Sequence, residues 1–387
     1  MPNRVRLYSI IVFLYWMSQY LYMPTLPLYA QSKTDNLTMV GVVLAMYGLW
    51  QTLARIPLGM AADWAGWRKP FIIAGVLLSG VGAWVTGTGD HIGFLIVGRA
   101  LSGVSAGTWV LFVVGFSTLF PAGEAVRATA MLTVCASLGR MLATSTTGIF
   151  NNLGGYALAF YLAAGIAVIA ALSVLPIHEQ RRVAQPPSFR KFKILLKNRD
   201  VMLPAVINAI CQHATWASSY GFIPIIARQL GATDNMQSAL LSMTLAVIAV
   251  ASMIATTLGH YIGSRRMVYI SLIFLFLGVS SAALASSLTL IFVAQFCLGM
   301  SWGFGNPVLM GMSIERVVHS ERATAMGIHQ AVYGLGMFSG PWLSGILSDF
   351  IGIQPTLGIT GILCFLLGVS GMRWLGGKSE KHDAALS

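Results

Sequence analysis

The stretch "WMSQYLYMP", Trp16 to Pro24, returns as "WASSYGFIP", Trp216 to Pro224, with Trp, Ser, Tyr and Pro at one offset of 200 residues. Further matches follow in the same order along both parts of the chain. "TDN" stands at Thr34 to Asn36 and at Thr233 to Asn235; Gly59 is matched by Gly259, and Gly103 and Gly107 by Gly299 and Gly303. "RATAM" closes the series at Arg127 to Met131 and Arg322 to Met326, at an offset of 195. Isolated coincidences would not keep their order at a nearly constant offset. The chain is a duplication, and whatever the first half is, the second is built the same way.

Composition says what each half is. Apolar residues make up 56% of the chain and charged residues 9%, with a mean hydropathy of +0.74; an ordinary soluble domain is about a quarter charged. A hydrocarbon layer about 30 Å thick takes about 20 apolar residues per helix. Twelve such segments can be drawn, at approximately 7–30, 37–62, 70–89, 92–119, 128–150, 155–177, 201–229, 238–261, 267–287, 289–314, 323–348 and 354–376. They are continuous rather than alternating in polarity, which argues against a barrel. The basic, apolar start is too long for a secretory signal, and its pattern recurs mid-chain. The expected fold is an all-α membrane protein with twelve transmembrane helices in two parallel six-helix repeats. The repeats occupy 1–177 and 201–377, joined by a basic linker at 178–200 and followed by a tail at 378–387.

The net charge of +12 is a topology signal. Of 24 Lys and Arg, three (Arg55, Arg99, Arg140) lie inside apolar segments and two (Lys33, Arg228) follow odd-numbered ones. The remaining 19 fall at the N-terminus, in loops after even-numbered segments, or in the tail, so both termini are expected in the cytoplasm of a bacterial cell, with the chain in its inner membrane. That placement leaves no basic surface for nucleic acid. The linker holds seven basic residues and a Pro-Pro pair, with an amphipathic surface helix expected over Phe189 to Leu196. Cys135, Cys211, Cys297 and Cys364 are scattered through apolar segments without metal-site spacing.

After the second segment comes "GMAADWAGWRKP", in which Gly59, Asp63, Gly66, Arg68 and Lys69 resemble the signature of the major facilitator superfamily. Trp64 and Trp67 stand where that family usually has Arg. The fourth segment, "GRALSGVSAG", is similar to the family's second signature, with Arg99 as its membrane arginine. The resemblance implies a secondary transporter working by alternating access, one half rocking against the other around a midplane site. It further implies that Asp63 faces the start of the eleventh helix when the cytoplasmic side is closed. Arg322 is then a candidate latch for the outward-open state. Proton-driven drug exporters of the family usually carry a Gly-Pro signature in the fifth helix; here that helix reads "SLGRMLATSTTGIF", without Pro.

All twelve acidic residues lie in loops, tails or helix ends, so the three embedded arginines have no carboxylate at their depth. An intramembrane charge costs roughly 2.5 to 3.5 kcal/mol on the insertion scale unless it is paired or faces water. Arg55, close to Asp63, is expected to snorkel toward the cytoplasm. Arg99 is open to a structural or a ligand role. Arg140 lies about 12 residues into its helix, roughly 18 Å at 1.5 Å per residue, near mid-membrane. It either faces the cavity and meets an anion or packs on backbone carbonyls. His213, Trp216 and Tyr220, at i, i+3 and i+7, are expected on one helical face. Tyr15, Gln19 and Tyr22 form a similar row, and Gln295 and Asn306 are further deep polar groups. His213 is the candidate proton-binding group, because imidazole titrates near neutral pH.

These residues suit a small organic solute, an anion with an apolar body being favoured, with a proton or a counter-anion as the open alternatives for coupling. A proton-coupled multidrug exporter is the second reading. An enzyme would need paired carboxylates or a His/Asp cluster, and none is present; a nucleotide-driven pump would need a phosphate-binding loop. No cofactor, metal or catalytic residue is expected, and the chain reads as a monomer in the bilayer.

Overall fold

The computed structural model describes residues 2–121, 124–177, 179, 189–318 and 321–376. The expected tail at 378–387 and most of the linker lie outside them. The first half holds α1 (Pro2–Tyr20), α2 (Leu26–Gln31), α3 (Leu37–Ala65), α4 (Lys69–Thr88), α5 (Ile92–Gly107), α6 (Trp109–Ser117) and α7 (Ala125–Val174). After α8 (Phe189–Lys197) come α9 (Arg199–Ala217), a π-helical turn at Ser218–Phe222, α10 (Ile223–Gln229), α11 (Asp234–Ile262), α12 (Ser264–Ala283), α13 (Leu288–Glu315), α14 (Arg322–Ile351) and α15 (Ile353–Gly376).

Eight helices among the described residues are long and apolar enough to cross a bilayer, with α5 and α6 counted as one. One of them, α7, has 50 residues, twice what a crossing needs. Its dihedrals leave the helical region at Gly154 and at Gly155, where φ 69° with ψ −179° is a conformation essentially confined to glycine. The chain turns back there, so α7 supplies two crossings. With the broken crossings α1/α2 and α9/α10, and with α14, the described residues make twelve.

Both broken crossings fail at the duplicated motif. Pro24 cannot donate to the carbonyl of Tyr20, which takes the amide of Met23 instead at 3.1 Å; the chain loosens before α2 resumes. Pro224 deprives Tyr220 in the same way, and here the helix widens into the π-turn. Each half therefore carries an interrupted helix at its Trp-x-x-x-Tyr.

The halves meet along two seams, α3 against α14 and the first arm of α7 against α11. We call the side bearing the start of α1 and the end of α15 the basic face, and the opposite side the far face. Toward the far face the seams are tight. A Cβ on Gly41 would stand 2.3 Å from the carbonyl oxygen of Pro341, and one on Gly148 would stand 2.6 Å from the amide of Asn235. Asn151 donates to Asp234 at 2.9 Å, and Thr144 and Ser242 share a hydrogen bond of 2.8 Å. Asp349, near the end of α14, accepts from the amides of Leu37 and Thr38 at 2.9 and 2.8 Å, closing the N-terminus of α3. Toward the basic face the seams part. Gly59, Gly259 and Gly327 meet no atom within 4 Å of where a Cβ would be.

Slight burial raises the Asp349 carboxyl, but hydrogen bonds from Thr38 and Leu37 outweigh it and hold the group below its usual value. A depressed carboxylate stabilises the closed far face fully above its ordinary value near about 4, and the contribution is lost as pH falls through the lowered folded value. Asp349→Ala is accordingly expected to lengthen distances between spin labels on the far ends of α3 and α14. An unchanged distance distribution would deprive this clamp of any force.

On the basic face Asp63 pairs with Arg68 at 3.0 Å, and Arg322 donates through Nε to the carbonyl of Val317 at 3.1 Å. With the seams parted here, Asp63 and Arg322 have other partners, and the expected pairing between them is not formed in this state. Gly66 ends α3 in the left-handed region at φ 69°, which turns the chain sharply enough for Arg68 to reach back to Asp63. Glu179 accepts from the amides of Arg68 and Lys69 at 3.0 and 2.7 Å, supplying the uncapped N-terminus of α4 with an anion.

Candidate functional site

The two Trp-x-x-x-Tyr pairs come together where the halves meet. Trp216 and Tyr220 stack at 4.8 Å, and Tyr220 has Tyr20 as a neighbour across the divide. Trp16 and Tyr20 are in edge contact at 5.7 Å. The column continues on both sides of Trp216. Tyr47 of α3 stacks on it at 5.4 Å with the ring planes 13° apart, while Trp302 of α13 meets Tyr220 edge-on at 6.0 Å. The sequence reading nominated Trp216 and Tyr220 and passed over Trp16, Tyr20, Tyr47 and Trp302. For Trp16 and Tyr20 the signal was on hand, since the repeat makes them the counterparts of the nominated pair.

Two arginines are laid against these rings. The Arg140 guanidinium sits 4.6 Å from the Trp16 ring centre and 5.6 Å from that of Tyr20. Its Nε donates to the carbonyl of Ala136 at 3.3 Å, and the side chain is half-buried. One nitrogen of the fork is thus spent on a backbone carbonyl, one of the two alternatives for this residue. Arg99 lies 4.6 Å from the Tyr47 ring. It is 1% exposed, and none of its three side-chain nitrogens has a hydrogen-bond partner. A cation–π contact is worth roughly 0.5 to 2 kcal/mol, less than the several kcal/mol that burying a charge costs. Arg99 is therefore held at an expense its visible contacts do not offset.

Arg55 departs from expectation. It is 3% exposed rather than snorkelling, and its Nη1 donates to Gln330 of α14 across the seam. No ion pair among the described residues involves Arg55, Arg99 or Arg140.

The other nominated residues are spread through the two halves. Tyr15 donates to the carbonyl of Ser105 at 2.8 Å, and Gln19 donates to Ser105 Oγ at 3.0 Å, so both are spent in the contact of α1 with α5. Tyr22 stacks on Phe160 at 4.5 Å. Gln295 accepts from Ser219 and Thr244 at 2.6 and 3.1 Å, inside the second half. Asn306 accepts from Asn208 at 3.0 Å; Asn208 also donates to Nε2 of His329, whose Nδ1 is 2.6 Å from Ser313. The Gly103 to Gly107 run spells Gly-x-Ser-x-Gly, the spacing of a hydrolase nucleophile. Ser105 lies within continuous helix, wholly buried, and its Oγ is engaged by Gln19 and Tyr15.

His213 does not share the face of Trp216 and Tyr220. Its Nδ1 lies 2.9 Å from Ser339 Oγ, in a lateral groove of about 520 Å³ lined by Leu335, Leu363 and Leu367, residues half-exposed toward lipid. Trp216 points instead toward α3. Both residues lie in the regular helix α9, where an i, i+3 pair is set roughly 60° apart around the axis, enough to turn His213 to Ser339 of α14 and Trp216 to Tyr47 of α3.

Two duplicated six-crossing bundles, sealed on one face and parted on the other around a midplane cluster of rings and cations, have the architecture of an alternating-access carrier. The chain belongs to the Major Facilitator Superfamily, whose model matches residues 8–219 and again 205–386. It is a multi-pass membrane transporter of the secondary type. It is 21% identical over 377 residues to an uncharacterised MFS-type transporter of Methanocaldococcus jannaschii, covering 92% of this chain and 96% of that one. To the multidrug resistance protein MdtL of Klebsiella pneumoniae it is 25% identical over 355 residues, covering 89% and 87%. Among solved structures, a bacterial homologue of the human lysosomal transporter Spinster, inward-facing and occupied, superimposes with a TM-score of 0.81 at 14% identity, over 96% of both chains.

Proposed function

We propose that this carrier moves a small organic anion with a flat or apolar body, and that its basic face is the cytoplasmic side of a bacterial inner membrane. The state described above is then inward-facing, and the carrier works as a monomer. The observation that carries the reading is Arg140: a half-buried guanidinium resting on Trp16 and Tyr20 at the meeting of the halves, with no carboxylate to neutralise it. A guanidinium fork recognises carboxylate, sulfonate or phosphate by paired hydrogen bonds, and the rings of Trp216 and Tyr220 opposite offer a surface for an apolar body. The second reading, a proton-coupled exporter of drugs, is favoured by the name of the Klebsiella relative. Against it stand the fifth helix without Pro and the turn of His213 into the lateral groove.

Thermal stabilisation of the purified protein by benzoate, 4-toluenesulfonate, phenyl phosphate and the cationic dye ethidium separates the two. Binding at a hundredfold excess over Kd adds about 2.7 kcal/mol. The expected result is stabilisation by at least one of the anions, abolished by Arg140→Ala. Stabilisation by ethidium alone, untouched by Arg140→Ala, overturns the anion reading in favour of the exporter.

A further inference from the structure

Three guanidinium groups converge on one aromatic cluster. Arg99 and Arg55 lie within electrostatic range of Tyr47, Arg55 of Tyr15, and Arg140 of Tyr220. Their polar partners are all neutral: Gln330 for Arg55, the Ala136 carbonyl for Arg140, and none for Arg99. Guanidinium does not release its proton under any condition a cell offers. All twelve carboxylates of the chain lie at helix ends, in loops or in the terminal segments. Neither an internal ion pair nor a proton transfer can silence this charge, which leaves an anion from outside.

The charge matters most when the carrier changes state. To pass between its open forms it must close both faces over the site, and Tyr47, Trp216 and Tyr220, stacked and no more than 5% exposed, show how tightly the cluster packs. Closing over unneutralised cations is penalised; closing over cations paired with an anion is not. We infer that the empty carrier reorients slowly and the loaded one quickly, so that the protein is an obligatory exchanger of organic anions, one in each half-cycle, with no proton as partner.

The titratable groups around the cluster offer no substitute for a counter-anion. Tyr15, Tyr20, Tyr47 and Tyr220 bring phenols to the cluster and no carboxylate. His213 is turned into the lateral groove, His329 is held between Asn208 and Ser313, and His91 caps α5 through Nδ1 on the far side.

This inference rests on the organic-anion reading, and the experiment tells the two failures apart. The full-length protein is placed in liposomes, and uptake of radiolabelled benzoate, 4-toluenesulfonate and phenyl phosphate is measured in turn. Vesicles are preloaded either with the same unlabelled anion or with chloride alone. The expected result is uptake at least tenfold faster into anion-loaded vesicles, changed less than twofold by an imposed pH gradient. Equal rates into chloride-filled vesicles, or uptake that needs the pH gradient, overturn obligatory exchange while leaving anion transport intact. No uptake of any of the three in either kind of vesicle overturns the anion reading, and this inference with it. In Arg99→Gln the ratio of loaded to unloaded rates is expected to fall toward one; an unchanged ratio in a variant that melts like the wild type overturns the role given to fixed charge.

Discussion

Arg140→Ala is expected to lower the initial rate of anion counterflow by about a hundredfold while leaving the melting temperature unchanged or slightly raised. The loss of rate follows from removing hydrogen bonds to a charged group, worth about 1.5 to 3 kcal/mol, together with the cation that rests on Trp16 and Tyr20. The unchanged stability follows from the same geometry. A guanidinium near mid-membrane with one carbonyl partner and two ring contacts is a cost to the fold, and deleting it relieves that cost. Arg140→Lys keeps the charge without the planar fork and should fall between the two. A variant that transports normally, or one that melts well below the wild type, would mark Arg140 as a packing residue.

Gly41→Val is expected to abolish transport and hold the protein open on the far face. The atoms in the way are backbone, the Pro341 carbonyl at 2.3 Å and the Gly345 Cα at 3.1 Å, so no side chain can swing aside. A valine at this point keeps α3 and α14 apart where Asp349 would otherwise draw them together. The readout is thiol labelling of Gly59→Cys or Gly327→Cys in a background without the native cysteines. Both positions border open space on the basic face and should label readily. Adding Gly41→Val should protect them, because a carrier forced open on one face closes on the other. Undiminished labelling with undiminished transport would mean that the α3–α14 seam does not set the state.

The architecture was legible because it rests on two robust signals, continuous apolar length and an ordered internal repeat. The spans drawn from sequence end within a few residues of the helices, even at the Asn151 to Gly155 run where α7 turns back without a charged residue. The site was legible as a list of residue types and much less as a geometry. Spacing puts His213 and Trp216 on one broad stripe of α9, but the roughly 60° between an i, i+3 pair turns one to α14 and the other to α3, a choice set by the neighbours rather than by the spacing. Tyr47 and Trp302 lie on helices that bring them to the cluster only through tertiary packing, so no local pattern marks them. Arg55 was expected to snorkel toward the cytoplasm, yet its partner is Gln330, 275 residues away.

The fastening groups of the far face are unevenly shared between the halves. The second half supplies both carboxylates, Asp234 and Asp349; the first supplies the Asn151 amide and the N-terminus of α3 that receive them. All three intramembrane arginines also belong to the first half. A fold made by duplication risks assembling from two like halves, since each retains the surface that once matched its own copy. Two first halves face to face would oppose six arginines, with no equivalent of Asp349 to hold them, because the register of the repeat puts Gly154 at that place. Divergence in charge makes the unlike half the partner that fits best, a form of assembly fidelity written into the residues that fasten the far face.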